Sequence, residues 1–100
     1  MFDPLFHQPL RTTIVSAIAA HEDGMSFKEL QNITEATQGN LASHLKTLED
    51  GGYIEYEKFF EGRRPKTIYK LTKQGRAAFG EYIDHLTNFI TTNQREQINE

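Results

Sequence analysis

Residues 37–71, TQGNLASHLKTLEDGGYIEYEKFFEGRRPKTIYKL, change their hydrophobic period partway along. Up to position 50 the period is that of a helix. Leu41, Leu45 and Leu48 fall at i, i+4 and i+7 and make one buried stripe. Thr37 is the expected N-cap, Ala36 can staple onto Leu41, and Gly51-Gly52 ends the helix sharply. Its other face offers Gln38, Asn40, Ser43, His44, Lys46 and Thr47, short polar or basic side chains rich in donors. From position 53 the period becomes 2. Residues 53–60 and 67–71 are rich in aromatic and β-branched side chains, and Glu61-Gly62-Arg63-Arg64-Pro65 lies between them. This predicts a two-stranded hairpin with a basic tip, which must pack on helices to be stable.

On the N-terminal side, Ser26-x-x-Glu29 is a capping box that opens a helix of about two turns carrying Leu30 and Ile33 and stopping near Thr34. Earlier still, Asp3-Pro4 reads as a helix start and Pro9 as a second start or a kink. Leu10, Ile14, Val15 and Ile18 then recur at helical spacing until His21-Glu22-Asp23-Gly24. After the hairpin, Thr72 caps a last helix in which Phe79, Ile83, Leu86 and Ile90 form a heptad-like seam beside Tyr82 and Phe89. Residues 1–92 are expected to form one domain, and 93–100 a polar tail that frays. The fold class that follows is α+β and mostly helical: a winged helix-turn-helix with a three-helix core, a two-stranded hairpin wing and a long C-terminal dimerisation helix.

One hundred residues, 37% of them hydrophobic, suffice for one small core and leave no room for a barrel enzyme or a second domain. The chain has no cysteine, which removes disulfides, thiol nucleophiles and Cys-ligated zinc. No apolar run approaches a membrane span and no basic-then-apolar leader opens the sequence, so a cytoplasmic location is expected. Neither a nucleophile motif nor a phosphate loop is present, and no enzyme activity or cofactor is expected.

The formal net charge of -3 hides an asymmetry. Positions 58–76 hold seven basic residues, Lys58, Arg63, Arg64, Lys66, Lys70, Lys73 and Arg76, against Glu61 alone; the remainder of the chain holds four basic and thirteen acidic residues. Local charge governs binding more than the total does, so this stretch is a footprint for a polyanion.

Residues 40–54 resemble the recognition helix and following strand of winged-helix transcriptional regulators, and residues 62–76 resemble their wing and the Leu-Thr-x-x-Gly-Arg opening of the next helix. The closest likeness is to the small single-domain group related to the multiple-antibiotic-resistance (MarR) and arsenical-resistance (ArsR) repressors, over residues 5–90. The wing departs from the MarR pattern in carrying Glu61 and Gly62 ahead of Arg63. The resemblance implies a sequence-specific, homodimeric binder of double-stranded DNA acting as a transcriptional regulator, most simply a repressor.

On this reading residues 38–50 enter the major groove and the wing, residues 58–70, lies on the minor groove and backbone. The DNA-binding set comprises Thr37, Gln38, Gly39, Asn40, Ser43, His44, Lys46, Thr47, Arg63, Arg64 and Lys66. Gln38 and Asn40 match the edge of adenine, His44 and Lys46 can donate to guanine or phosphate, and Gly39 permits close backbone approach. Arg63 suits a narrow minor groove, while Arg64 and Lys66 suit phosphates. One domain reads too short a site for useful specificity, so a dimer on a palindromic operator is expected. Leu5, Phe6, Leu10, Phe79, Ile83, Leu86, Phe89 and Ile90 are its expected interface.

Two other readings compete. A protein-interaction module on the same scaffold would keep the hairpin but not need the basic tip. A metal or small-ligand sensor would use His7, His21, His44 or His85, or an aromatic cleft of Tyr53, Phe59, Phe60 and Tyr69. No histidine pair has ligand spacing, and no metal is assigned.

Overall fold

The computed structural model describes the backbone of residues 4–98 and the side chains of residues 4–93. A 3-10 turn, Pro4–Phe6, precedes α1 (Pro9–Ala19), β1 (Met25–Ser26), α2 (Phe27–Thr34), α3 (Gln38–Asp50), β2 (Ile54–Glu61), β3 (Arg64–Leu71) and α4 (Lys73–Ile98). This is the expected mostly helical winged helix-turn-helix. Pro9 starts α1 and separates it from the turn at Pro4. Asp3, read as an N-cap, lies outside the described residues. At the other end α4 runs on through Ile98, into the polar segment set apart by composition.

The sheet has three strands in the order β1-β3-β2, all antiparallel, where the sequence predicts two. The added strand is only Met25–Ser26, paired with Tyr69 and Ile68, and two residues are too short to show an alternating pattern. The hairpin is also tighter than expected. Glu61 pairs with Arg64, so only Gly62 and Arg63 form the turn, and Arg64 and Pro65 join the strand. Within this turn positive φ falls on Gly62, the first of the two turn residues, and not on Arg63, as a type II′ turn requires. Pro65 is tolerated because β1 pairs no further than Ile68, leaving β3 with an open edge there.

One core joins these elements. Ile14, Val15 and Ile18 from α1, Leu30 from α2, and Leu41, Leu45 and Leu48 from α3 are buried with Phe6, Met25, Tyr53 and Ile54. Ile33, expected on the apolar face of α2, is instead exposed. Ser26 and Glu29 form the capping box, each bonding the other's backbone N–H. The bond from the Ser26 backbone N–H holds the Glu29 carboxyl below its ordinary range, and the Ser26 side chain adds to the shift.

Two devices fix the wing to the helices. At the end of α3 the Gly52 N–H bonds the Glu49 carbonyl and the Tyr53 N–H bonds the Leu48 carbonyl, a Schellman closure with Gly52 in the left-handed region. Across from it, the Thr72 hydroxyl donates to the Gly52 carbonyl at 2.6 Å and accepts from the Gly75 N–H at 2.9 Å. Thr72 therefore caps α4 and ties it to the end of α3. The start of α4 lies so close to Tyr53 that a Cβ on Gly75 would strike the Tyr53 carbonyl.

Candidate nucleic-acid interface

The stripe of Leu41, Leu45 and Leu48 turns the opposite row of α3 outward: Gly39, Ser43, Lys46 and Asp50, all exposed. Gln38, Asn40 and Thr37 are exposed at the N-terminal turn. Thr37 accepts from the Asn40 N–H at 3.2 Å, as an N-cap should, which leaves other N–H groups of the first turn facing outward. Around Gly39 there is open space where a Cβ would sit. Thr47 is half-buried and its hydroxyl donates back to the Ser43 carbonyl at 3.1 Å, so its remaining role is that of acceptor.

His44 stands apart from the outward row. It is half-buried on the shoulder of α3 that faces α1, where its Nδ1 accepts from Nε of Arg11 at 3.2 Å. Arginine has no acceptor, so this bond puts the imidazole proton on Nε2, the nitrogen left to donate outward. Arg11 was not among the residues expected at the site. Its signal was its isolation, as the one charged side chain in α1.

Arg63 occupies the wing turn and Arg64 and Lys66 follow it on β3. Both Arg63 and Arg64 are exposed. Two of the expected DNA contacts are already ion-paired: Lys66 with Glu61 at 3.0 Å and Lys46 with Asp50 at 3.1 Å. The hydrogen bond from Lys46 to Asp50 raises the lysine above its ordinary value, which keeps it cationic. Such exposed pairs are weak and yield to a polyanion.

The aromatic cleft weighed above does not assemble. Tyr53 lies in the core with its ring 5.7 Å from that of Phe6, while Phe59 and Phe60 leave opposite faces of β2. Tyr69 is half-buried beside Tyr56, and desolvation pushes its phenol up. Among the described residues no group of three or more His, Asp and Glu side chains is placed to hold a metal ion.

The expected dimer residues divide into two sets. Phe6 is 3% exposed and packs against Tyr53, Phe79 and Tyr82 of its own chain. Its surface is therefore already used inside the monomer. Leu5, Leu10 and Phe79 are half-buried against the same core. Further along α4 the apolar seam continues with no other described residue covering it: Ile83, Phe89 and Ile90 are exposed and Leu86 is half-exposed. No helix of the described residues is long and apolar enough to cross a membrane.

Residues 10–90 match a family model described as a winged helix DNA-binding domain. An uncharacterized protein of Methanocaldococcus jannaschii is 38% identical over 79 residues, which cover 79% of this chain and 85% of that one. A transcriptional regulator homologue from Pyrococcus horikoshii superimposes with a TM-score of 0.81 at 25% identity, over 88% of this chain and 86% of the other. The Staphylococcus aureus MepR–DNA complex gives 0.69 at 17% identity over 95% and 81%. Bacillus subtilis PadR with operator DNA gives 0.66 at 19% over 76% and 48%. The last two show a shared fold.

Proposed function

Since this chain belongs to the winged-helix DNA-binding domain family, we propose that it binds double-stranded DNA sequence-specifically as a homodimeric transcriptional regulator, acting as a repressor. α3 enters the major groove and the wing lies on the adjacent minor groove and backbone. The single observation that carries this reading is the outward row Gly39, Ser43 and Lys46 on α3, with the exposed Thr37–Asn40 turn at its head and the exposed Arg63-Arg64 pair on the neighbouring wing. Thr37, Gln38, Asn40, Ser43 and Lys46 are the base- and phosphate-facing set, and His44 contributes through Nε2. Gly39 gives the backbone access. Thr47 accepts, and Arg64 and Lys66 hold phosphates while Arg63 enters the minor groove.

The dimer is built on Ile83, Leu86, Phe89 and Ile90 of α4, with Leu5 and Leu10 at its margin. Four apolar side chains on one helix face, left uncovered in so small a domain, are what a self-complementary contact uses. Two copies read a palindromic operator with half-sites about one helical turn, or a multiple of it, apart. Within the family, the MarR-type resemblance of residues 40–54 and 62–76 is the narrower assignment. Likeness to a PadR structure supports only the shared fold.

Selection of binding sites from random duplex DNA, repeated with Arg63→Ala/Arg64→Ala, tests this. An inverted repeat enriched by the native protein and lost or weakened in the variant is the expected result. Folded native protein that enriches no sequence at low salt would refute it.

A further inference from the structure

Among the described apolar side chains that are exposed, Phe60 is the most exposed, at 74%. It projects from the wing two residues before the turn, opposite Pro65. The register sets which face it occupies. Ile54, Tyr56, Lys58 and Phe60 alternate with Glu55, Glu57, Phe59 and Glu61, so the two sets leave opposite sides of β2. Ile54 is core, which makes the Phe60 side the inner face, continuous with the helices.

That inner face forms a path. Tyr56 follows Ile54 on this face, its ring 6.1 Å from that of Tyr69 on β3. The Lys58 ammonium lies 5.6 Å from the centre of the Tyr56 ring. Phe60 and Pro65 come next, and Arg63 stands at the end in the turn. The three carboxylates of β2 all fall on the outer face with Phe59, opposite Arg64, Lys66 and Lys70 of β3, so Lys58 is the inner-face cation of the strands and Arg64 and Lys66 reach phosphates from the outer side of the tip. A polyanion approaching the inner face of the wing therefore meets cations and apolar surface and no β2 carboxylate.

The reach fits duplex DNA. The six residue steps from Ile54 to Phe60 span about 20 Å, close to the half-turn of about 17 Å that separates the major groove from the minor groove in a helix repeating every 34 Å or so. We propose that Phe60, backed by Pro65, is an apolar wedge that enters the minor groove of duplex DNA beside Arg63. Resting on the DNA-binding reading above, this adds a contact without charge, favoured where a flexible step opens.

Phe59 is the internal control: the same side chain, 44% exposed, on the outer face of the same strand. The duplex selected by the native protein is titrated with native protein, Phe60→Ala, Phe60→Leu, Phe59→Ala and Arg63→Ala at several salt concentrations, with 2-aminopurine at the minor-groove steps. Circular dichroism confirms that each variant folds. Phe60→Ala should weaken binding about tenfold with an unchanged salt slope and abolish the fluorescence rise, Phe60→Leu should restore most of the affinity, and Phe59→Ala should stay within about twofold of native. Arg63→Ala should lower the salt slope by about one. Native-like binding and fluorescence for Phe60→Ala would overturn the proposal. So would equal losses for Phe59→Ala and Phe60→Ala, or a change in sedimentation of Phe60→Ala without DNA, which would assign the side chain to a second copy. Each of these outcomes leaves native binding intact, whereas native protein that binds no duplex overturns the wedge and the DNA reading together.

Discussion

Arg11 on α1 donates through Nε to Nδ1 of His44 on α3, at 3.2 Å. The bond fixes both the ring orientation and the tautomer of a side chain on the edge of the DNA-facing helix. Arg11→Met keeps the aliphatic stem and removes the donor. The expected outcome is an intact fold and a lower specificity ratio, with binding to the selected site falling by about tenfold and binding to random DNA falling less. Competition binding with specific and random duplexes measures it. Equal losses on both would reduce Arg11 to a phosphate contact.

Gly39 separates stability from function. A Cβ there meets nothing within 4 Å, and alanine is the better helix former by about 1 kcal/mol or somewhat less. Gly39→Ala should therefore raise the Tm while weakening DNA binding, because the added methyl stands where backbone and DNA approach closely. Thermal unfolding and a binding titration on the same preparation give the two signs. A stabilised variant with native affinity would remove Gly39 from the interface.

Asp50 closes the outward row of α3 and pairs with Lys46 at 3.1 Å. Both side chains are largely exposed, so the pair does little for stability. It does matter to a polyanion, which must displace one carboxylate to reach the lysine. Asp50→Asn should leave the Tm where it was, strengthen DNA binding severalfold and steepen the salt dependence by about one phosphate contact. An unchanged slope would mean that Lys46 does not reach the backbone.

The Leu71-Thr72-x-x-Gly75-Arg76 run was legible as a motif, and its physical reason is visible only in three dimensions. Thr72 bonds Gly52, a residue 20 positions away, and Gly75 accommodates the Tyr53 carbonyl. Helices with a clear apolar stripe and a cap, such as α3, were readable because period and capping are local properties. What escaped was non-local or too short. β1 exists only through its pairing with β3, and Arg11 acquires a role only because α1 crosses α3. Phe6 looked like an interface residue because sequence does not distinguish an apolar side chain buried by its own chain from one buried by a partner.

Gly75→Ala tests that junction. The methyl would collide with backbone, which cannot move as a side-chain tip can, so the cost should reach several kcal/mol rather than the ~1 kcal/mol gain typical of glycine to alanine in a helix. Thr72→Val removes the hydroxyl that serves both Gly52 and Gly75 and should cost about 1–3 kcal/mol. Denaturant unfolding ranks the two, and a stabilised Gly75→Ala would show that α4 packs less closely on Tyr53 than found.

The uncovered end of the α4 seam sets the last expectation. Phe6 and Tyr82 already pack together, with ring centres 4.9 Å apart, which ties the first part of α4 to its own core. Ile83 and Ile90 fall further along on the same face, seven residues apart, and Phe89 borders them at 57% exposure. A second copy that covers this face buries all of them at once. A charge there must either be desolvated or hold the copies apart, and Ile83→Asp/Ile90→Asp should therefore give a folded monomer. Sedimentation at micromolar concentration reads the mass directly. The same variant should lose cooperative binding to a palindromic site yet keep weak, salt-sensitive binding to a single half-site, because α3 and the wing are untouched. Native protein that sediments as a monomer would end the dimer proposal, whatever the variant does.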